Sequence, residues 1–184
     1  MKLGFGLWIA FLLVAPKAEP NRFAVTSIRD DIAVGTIVGP LKAGLLCFPA
    51  GQVRWDEVVR PTESALIARA DRVLSGNAGP ADPDPFAEPS DRGGSADYRV
   101  VITIRTARLK LCVAGLGIGE RKPGGVGQVE ATVATQQRDT KRRLQDRLIT
   151  VPIRLDGRDP RKDPSVYADI IADIARQYGA QPPE

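Results

Sequence analysis

Two cysteines are the residues of this chain best suited to chemistry, and their surroundings restrict what that chemistry is. Cys47 lies in the stretch GLLCFPAG, and Cys112 lies about 65 residues further on. The chain has no histidine, so a thiolate would lack its usual activating base and a zinc site its commonest ligand. Cys47 follows Leu46 far beyond the hydrophobic start of the chain, which argues against lipid attachment directly after an export signal.

The other candidates for catalysis lack the partners that known mechanisms require. None of the serines lies in a G-x-S-x-G or S-x-x-K pattern. Asp56 and Glu57 follow a tryptophan, but a glycosidase pair works in a groove lined by aromatic side chains, and aromatic residues make up only 5% of the chain. We therefore predict no catalytic residues and no enzyme, with a small carboxylate- or serine-dependent enzyme as an alternative.

Two segments, one acidic and one rich in glycine, are candidates for a metal site and a nucleotide site. Residues 77–96 contain four acidic residues, but these are separated by prolines and form no Asp-x-Asp-x-Asp-Gly calcium loop. Residues 115–127 contain six glycines, but a strand pattern follows them instead of a helix, and proline follows Lys122. The sequence therefore predicts no metal site and no cofactor, and both segments are expected to be surface loops.

The first eighteen residues have the layout of an export signal. Lys2 precedes thirteen apolar residues, 3–15, and small residues follow them. A bilayer span needs roughly 20 apolar residues, so this run is short for a transmembrane helix. Proline at position 16 makes the cleavage site irregular, so residues 1–18 are interpreted as a signal peptide or an uncleaved membrane anchor. In an exported chain two cysteines most often pair, and we predict a Cys47–Cys112 disulfide.

Positive charge is modest overall and gathers at one predicted turn. The formal net charge is +4, and two of the basic residues lie in the first eighteen positions. Few aromatic residues accompany the basic ones, so no nucleic-acid partner is expected. The cluster at 138–147 fits either a solvated, charge-protected strand edge or a contact with an acidic partner or an anionic membrane surface. The candidate partner contacts are Leu116, Ile118, Arg138, Lys141, Arg142, Arg143 and Arg147.

Hydrophobic periodicity places the elements that would position these residues. A strand is expected at 22–31, short extended pieces at 32–48, and a helix after Thr62, which would cap it. Residues 98–105 alternate apolar and polar side chains, which predicts a strand with one wet face. Two further strands, 126–137 and 142–155, would join at a tight turn, with Pro152 marking a sheet edge or a bulge.

The last predicted element is a helix with a continuous apolar stripe. Asp163 would cap it, Pro164 would take its first position, and Gly179 would end it. Its apolar stripe must pack on the predicted sheet. The sequence thus predicts an α+β fold with a mostly antiparallel sheet of about four to five strands, two amphipathic helices and one disulfide. Residues 19–179 would form a single domain with a loop at 77–96, followed by a frayed tail at 180–184.

The order of elements from about 97 to 179 resembles a class of accessory domains. A strand, a hairpin with the charged turn RDTKRR and a terminal helix are similar to the amino-terminal domain of TolB-like proteins and to transport-auxiliary and curli-secretion lipoproteins of Gram-negative envelope assemblies. The resemblance covers less than half of the chain and carries over no functional residue. The lipid-bearing cysteine of those lipoproteins has no counterpart here.

These observations predict a non-catalytic, exported protein of the periplasm or cell envelope. We expect it to be an accessory or assembly subunit that docks onto a larger membrane-associated complex. Its contact surfaces would be the segments 77–96 and 113–127 and the basic cluster at 138–147. The alternative is a periplasmic binding module for a small apolar or anionic ligand held between helix and sheet.

Overall fold

A long central strand organises the sheet of the computed structural model, which describes residues 23–44, 46–75, 96–113, 124–144 and 146–180. The predictions for residues 1–18, 77–95 and 181–184, and for Leu116 and Ile118, lie outside the described residues. The strands and helices are β1 (Phe23–Asp30), β2 (Ile37–Ala43), β3 (Phe48–Arg54), α1 (Glu63–Leu74), β4 (Tyr98–Val113), β5 (Gly124–Gln137), β6 (Arg147–Arg154) and α2 (Ser165–Gly179).

The architecture confirms the predicted α+β class, with six strands instead of four or five. The strands follow the order β3-β2-β4-β5-β6, and β1 pairs with β4 beside β2. The pairs β2–β3, β4–β5 and β5–β6 are antiparallel, whereas β1 and β2 both run parallel to β4. β1 pairs with the first half of β4, residues 98–104, and β2 with its end, residues 111–113.

The alternation predicted for β4 gives the sheet two different faces. Val100, Ile102 and Ile104 are buried with the apolar residues of β5, β6 and α2, on what we call the helical face. Their neighbours in β4 point to the other side, which we call the open face because no helix of the described chain covers it. The open face carries Arg29, Arg99, Thr103, Arg105, Arg108, Lys110, Glu130, Thr132, Leu148 and Arg154.

The two helices contact different parts of the sheet. α2 buries its apolar stripe, including Ile171 and Ile174, in the core, as the sequence predicts. α1 begins at its predicted cap, Thr62, and lies along the free edge of β1. There Asp71 accepts the Val25 N–H at 2.7 Å. A carboxylate of the helix therefore satisfies a strand edge that would otherwise offer unpaired backbone groups.

Two predicted boundaries shift in the structure. β6 begins at Arg147 instead of 142: the predicted tight turn at 138–141 is present, but beyond it Arg143 pairs with Gln136 only as an isolated bridge, and the continuous ladder with β5 starts at Arg147. The α2 cap is Pro164 instead of Asp163, although the Asp163 carboxylate still accepts the Ser165 N–H at 2.9 Å. β6 is the edge strand that Pro152 predicts, and Val129 and Ala131 pair with Val151 and Ile149 as expected.

A polar cluster around the buried Trp55 anchors the base of the β2–β3 hairpin to the core. Trp55 follows β3 directly, and its Nε1 donates to Asp30 Oδ2 at 2.6 Å. Arg60 donates to the same oxygen at 2.8 Å, and its guanidinium lies over the rings of Trp55 and Tyr167 at 5.5 and 5.4 Å. Burial raises the pKa of Tyr167 to about 12, so its phenol stays neutral. The hairpin thus starts from a rigid base.

Candidate functional site

The β2–β3 hairpin forms an arm at one edge of the sheet. β3 is the last strand of the sheet order, and six of its seven residues are exposed; only Val53 is buried. The arm pairs with β4 in a short parallel ladder through Leu41, Lys42 and Ala43. We call the hairpin from Ile37 to Arg54 the disulfide arm, because the predicted Cys47–Cys112 bond joins its tip to the end of β4.

The disulfide fixes the tip of the arm. The two Cα atoms are 5.6 Å apart and the bond closes a separation of 65 residues. A loop of that length corresponds to about 4 kcal/mol of stabilisation through the unfolded chain. Cys47 itself takes a left-handed conformation (φ 55°) in a turn in which its N–H donates to the Gly44 carbonyl at 3.1 Å. The arm is therefore tied down at its tip as well as at its base.

Two large apolar side chains flank the disulfide and face solvent. Leu46 is 73% exposed and Phe48 is 64% exposed. Next to them, the Gly44 N–H donates to the carbonyl of Val113 at 3.1 Å. The end of β4 at Val113 therefore lies beside the tip of the arm.

The predicted basic cluster lies at the opposite end of the sheet. Tyr98 pairs with Gln137 at one end of β4, and Cys112 pairs with Gly124 at the other, which separates the two ends by about 45 Å along the strand. The structure brings five of the predicted contacts together there: Arg138, Lys141, Arg142, Arg143 and Arg147. We call residues 138–144 together with Arg147 the basic turn.

Backbone hydrogen bonds hold the basic turn in one conformation. The Arg138 N–H donates to the Asp97 carbonyl and the Gln137 N–H to the Arg142 carbonyl, both at 2.9 Å. The Arg143 guanidinium donates twice to Asp146, at 3.1 and 2.6 Å, and this contact raises the pKa of Arg143. The turn is thus a fixed platform of positive charge, partly offset by Asp146.

A depression of about 470 Å³ opens on the open face beside the basic turn. Four arginines surround it: Arg29 of β1, Arg99 and Arg105 of β4, and Arg143 of the basic turn. Arg105 donates to Asp31 and, at 3.3 Å, to the Thr132 hydroxyl. The depression therefore has a positively charged rim.

A smaller cavity of about 190 Å³ lies between β6 and α2. Its charges neutralise one another: Asp169 accepts from Arg69 and, at 2.7 Å, from Arg158. Arg158 also donates to the Ser165 hydroxyl at 2.9 Å. We interpret this network as structural. Within the described ranges, no three Cys, Asp or Glu side chains come close enough to hold a metal ion.

Comparisons with known proteins return only distant structural similarity. No family model matches the chain, and no curated protein matches it. A crystal structure of a DUF330 protein from Xanthomonas campestris aligns with 87% of this chain and 80% of its own, at 13% identity and a TM-score of 0.36. A second structure, of an uncharacterized protein, aligns with 87% of this chain and 88% of its own, at 11% identity and a TM-score of 0.34.

Sequence reasoning missed the exposed tip and the assembled arginines. Neither Leu46 nor Phe48 was singled out from the sequence, because their exposure follows from the hairpin lying at the edge of the sheet, with Leu46 in its turn and Phe48 at the start of β3. Arg99 and Arg105 were placed on the wet face of β4 by the alternation alone. Arg29 could not be added to them, because the parallel pairing of β1 with β4 is a long-range choice that no local pattern reveals.

Proposed function

We propose that this protein is a non-catalytic accessory subunit of the cell envelope that docks onto a larger membrane-associated assembly through the tip of its disulfide arm. The observation that carries the proposal is the exposure of Leu46 and Phe48 on a tip that a disulfide holds in place. Side chains of this kind serve as anchors at protein interfaces when they enter a pocket of the partner.

The construction of the arm favours docking onto a folded protein with an apolar pocket. A tip that is fixed at both ends loses little conformational freedom on binding, so less of the binding free energy is spent on ordering it. The free edge of β3 adds backbone donors and acceptors next to the apolar pair.

Export is supported by the disulfide and by the first eighteen residues. Disulfides persist in oxidising compartments such as the periplasm. Neither helix of the described part of the chain is long and apolar enough to span a bilayer.

The position of Phe23 gives the domain an orientation. Phe23 begins β1 and pairs with Tyr98, which pairs with Gln137 next to the basic turn. β1 thus begins at the same end of the sheet as the basic turn. In our proposal the basic turn faces the anionic membrane surface, where each basic residue contributes about 1 kcal/mol of attraction, and the arm points away toward the partner.

A small-ligand-binding module is the second candidate, and the depression on the open face favours it. Apolar side chains such as Ile102, Val129 and Ile171 fill the centre of the interface between α2 and the sheet, and the cavity between β6 and α2 is smaller and crossed by ion pairs, so a ligand would bind on the open face.

Paired substitutions test the docking proposal. We expect Phe48→Asp to remove partner proteins that co-purify with the full chain after gentle detergent extraction. Leu148→Asp is the matched control, because Leu148 is equally exposed, at 69%, on the edge strand β6 away from the arm. Equal retention of partners by both variants, or loss from both, would contradict docking through the tip.

A further inference from the structure

The depression on the open face has the character of an anion-binding site that the docking proposal does not use. Its rim combines arginines from β1, β4 and the basic turn, so three separate parts of the chain converge on it. Asp31 is the one acidic side chain among the residues that line it, and Asp31 is bound to Arg105. The lining therefore carries four positive charges against one negative charge.

Two of these arginines have guanidinium groups available for a ligand. Arg105 and Arg143 are engaged by Asp31 and Asp146. Within the described residues, no carboxylate forms a salt bridge with Arg29 or Arg99. Both side chains are exposed. A bound anion would give each a hydrogen-bonding partner.

The register of the strands places these two groups at opposite ends of the same floor. Ala24 pairs with Arg99 and Arg29 pairs with Thr103, so Arg29 and Arg99 stand four β4 positions apart, about 13 Å along the strand. Val101 and Thr103 lie between them on the lining. Arginine side chains are long enough to lean inward from both ends over this floor.

Phosphate is the anion that this arrangement fits best. Its three or four oxygens accept hydrogen bonds from several guanidinium forks at once, and arginine is the residue most often used for that purpose. The depression is open to solvent rather than enclosed, which suits a phosphate group carried on a larger molecule. The basic turn continues the positive surface outward from Arg143, so a second phosphate or a chain of them would also be attracted.

We propose that the depression bounded by Arg29, Arg99, Arg105 and Arg143 binds a phosphate ester, with Arg29 and Arg99 as its principal ligands. The phosphate has two chemical sources, the headgroup of an anionic lipid or a soluble phosphorylated molecule. The site is separate from the disulfide arm, so the two proposals succeed or fail independently.

Titration of the full chain in a zwitterionic detergent tests the site with inorganic pyrophosphate as the probe. We expect Arg99→Gln and Arg29→Gln each to weaken binding by about tenfold, the effect of losing a charge-assisted hydrogen bond. Arg108→Gln is the matched control, because Arg108 is exposed on the same strand and the same face but does not line the depression. Phe48→Asp should leave the affinity unchanged, which separates this test from that of docking.

Vesicles distinguish the two sources of phosphate. The same variants are compared for binding to vesicles of phosphatidylcholine alone and of phosphatidylcholine mixed with phosphatidic acid. An Arg99-dependent gain with phosphatidic acid supports a lipid headgroup, and an Arg99-dependent affinity for pyrophosphate without that gain supports a soluble ligand. An equal loss from Arg108→Gln and Arg99→Gln, or no dependence on Arg29 and Arg99 with either probe, would overturn the proposal.

Discussion

Asp159 shows how a single buried charge shapes the chain ahead of α2. Its side chain is only 8% exposed, and its carboxylate accepts from the Arg161 backbone N–H at 3.0 Å and from the Arg161 guanidinium at 3.1 and 2.9 Å. Its carbonyl accepts from the N–H groups of Lys162 and Asp163, both at 2.9 Å. Asp159 therefore folds the chain into the turn from which α2 begins.

The pKa of Asp159 makes this contribution dependent on pH. Burial alone would raise the pKa of Asp159. The hydrogen bonds and the charge of Arg161 lower it by a larger amount, so the net pKa lies below the ordinary 3.8. For a carboxyl group with a lowered pKa, the stabilisation is complete above the unfolded-state pKa and is lost as the pH falls through the folded-state value. The contribution of Asp159 should therefore be complete at neutral pH and lost in acid, below about pH 4.

We predict that Asp159→Asn lowers the free energy of unfolding at neutral pH by about 1–3 kcal/mol, because it leaves Arg161 without its partner. The difference from wild type should shrink in acid, where wild-type Asp159 is itself protonated. Urea unfolding at both pH values measures it. Asp156→Asn is the control, since Asp156 is 73% exposed and its contact with Arg158 is long, at 3.9 Å. A loss that is the same at both pH values would contradict the role of the Asp159 charge.

Gly39 sets how closely β2 approaches β4. A Cβ atom at this position would lie 1.7 Å from the Leu109 carbonyl oxygen, which no small adjustment relieves. We predict that Gly39→Ala lowers the free energy of unfolding by about 3 kcal/mol, the upper range for an overpacked site. Gly124→Ala should change it by less than about 0.5 kcal/mol, because a Cβ there meets no atom within 4 Å. Similar losses from both would show that β2 does not pass β4 this closely.

The disulfide should stabilise the arm more than the core. We predict that the double variant Cys47→Ala, Cys112→Ala lowers the free energy of unfolding by about 2–4 kcal/mol. Hydrogen exchange of the backbone at Leu41–Ala43 should accelerate in that variant, while exchange in β5 and α2 stays slow. Unchanged protection of Leu41–Ala43 would show that pairing with β4 holds the arm without the disulfide.

The elements of the second half of the chain could be predicted from the sequence, because each is marked by a pattern within its own residues. The alternation in β4, the facing residues of β5 and β6 and the apolar stripe of α2 follow from side-chain period alone. The disulfide followed by elimination, because two cysteines in an exported chain without histidine have few other uses. The tight turn at 138–141 was predicted correctly, but the start of β6 was wrong by five residues, because pairing after the turn is reduced to a single bridge, Gln136 with Arg143, before the continuous ladder begins at Arg147.

Pairing between distant strands could not be predicted in the same way. β1 and β2 lie end to end along one side of β4, both parallel to it, and only residues 31–36 connect them. Nothing local distinguishes this arrangement from a hairpin, because register and partner are fixed by packing across the whole sheet. The candidate site shows the same limit: the basic turn was predicted as a cluster, whereas the exposed tip and the arginine-lined depression depend on that pairing.

At the scale of the whole molecule, the domain has two chemically different ends. The apolar tip of the disulfide arm and the basic turn stand at opposite ends of β4, and β1 begins at the basic end. We infer that this polarity holds the arm away from the membrane and presents it to a partner, while positive charge stays near anionic headgroups. This arrangement has a function only if a partner protein binds the tip of the disulfide arm, so docking through the tip is the central claim.

Site-specific photo-crosslinking in cells tests that claim most directly. A photoreactive residue is placed at position 48 in the full chain, and another at position 148 as the control of equal exposure on β6. We predict that position 48 forms a stoichiometric adduct with a defined envelope protein and that position 148 does not. A chain that forms no protein adduct at position 48, or forms the same adducts at both positions, would contradict docking through the disulfide arm.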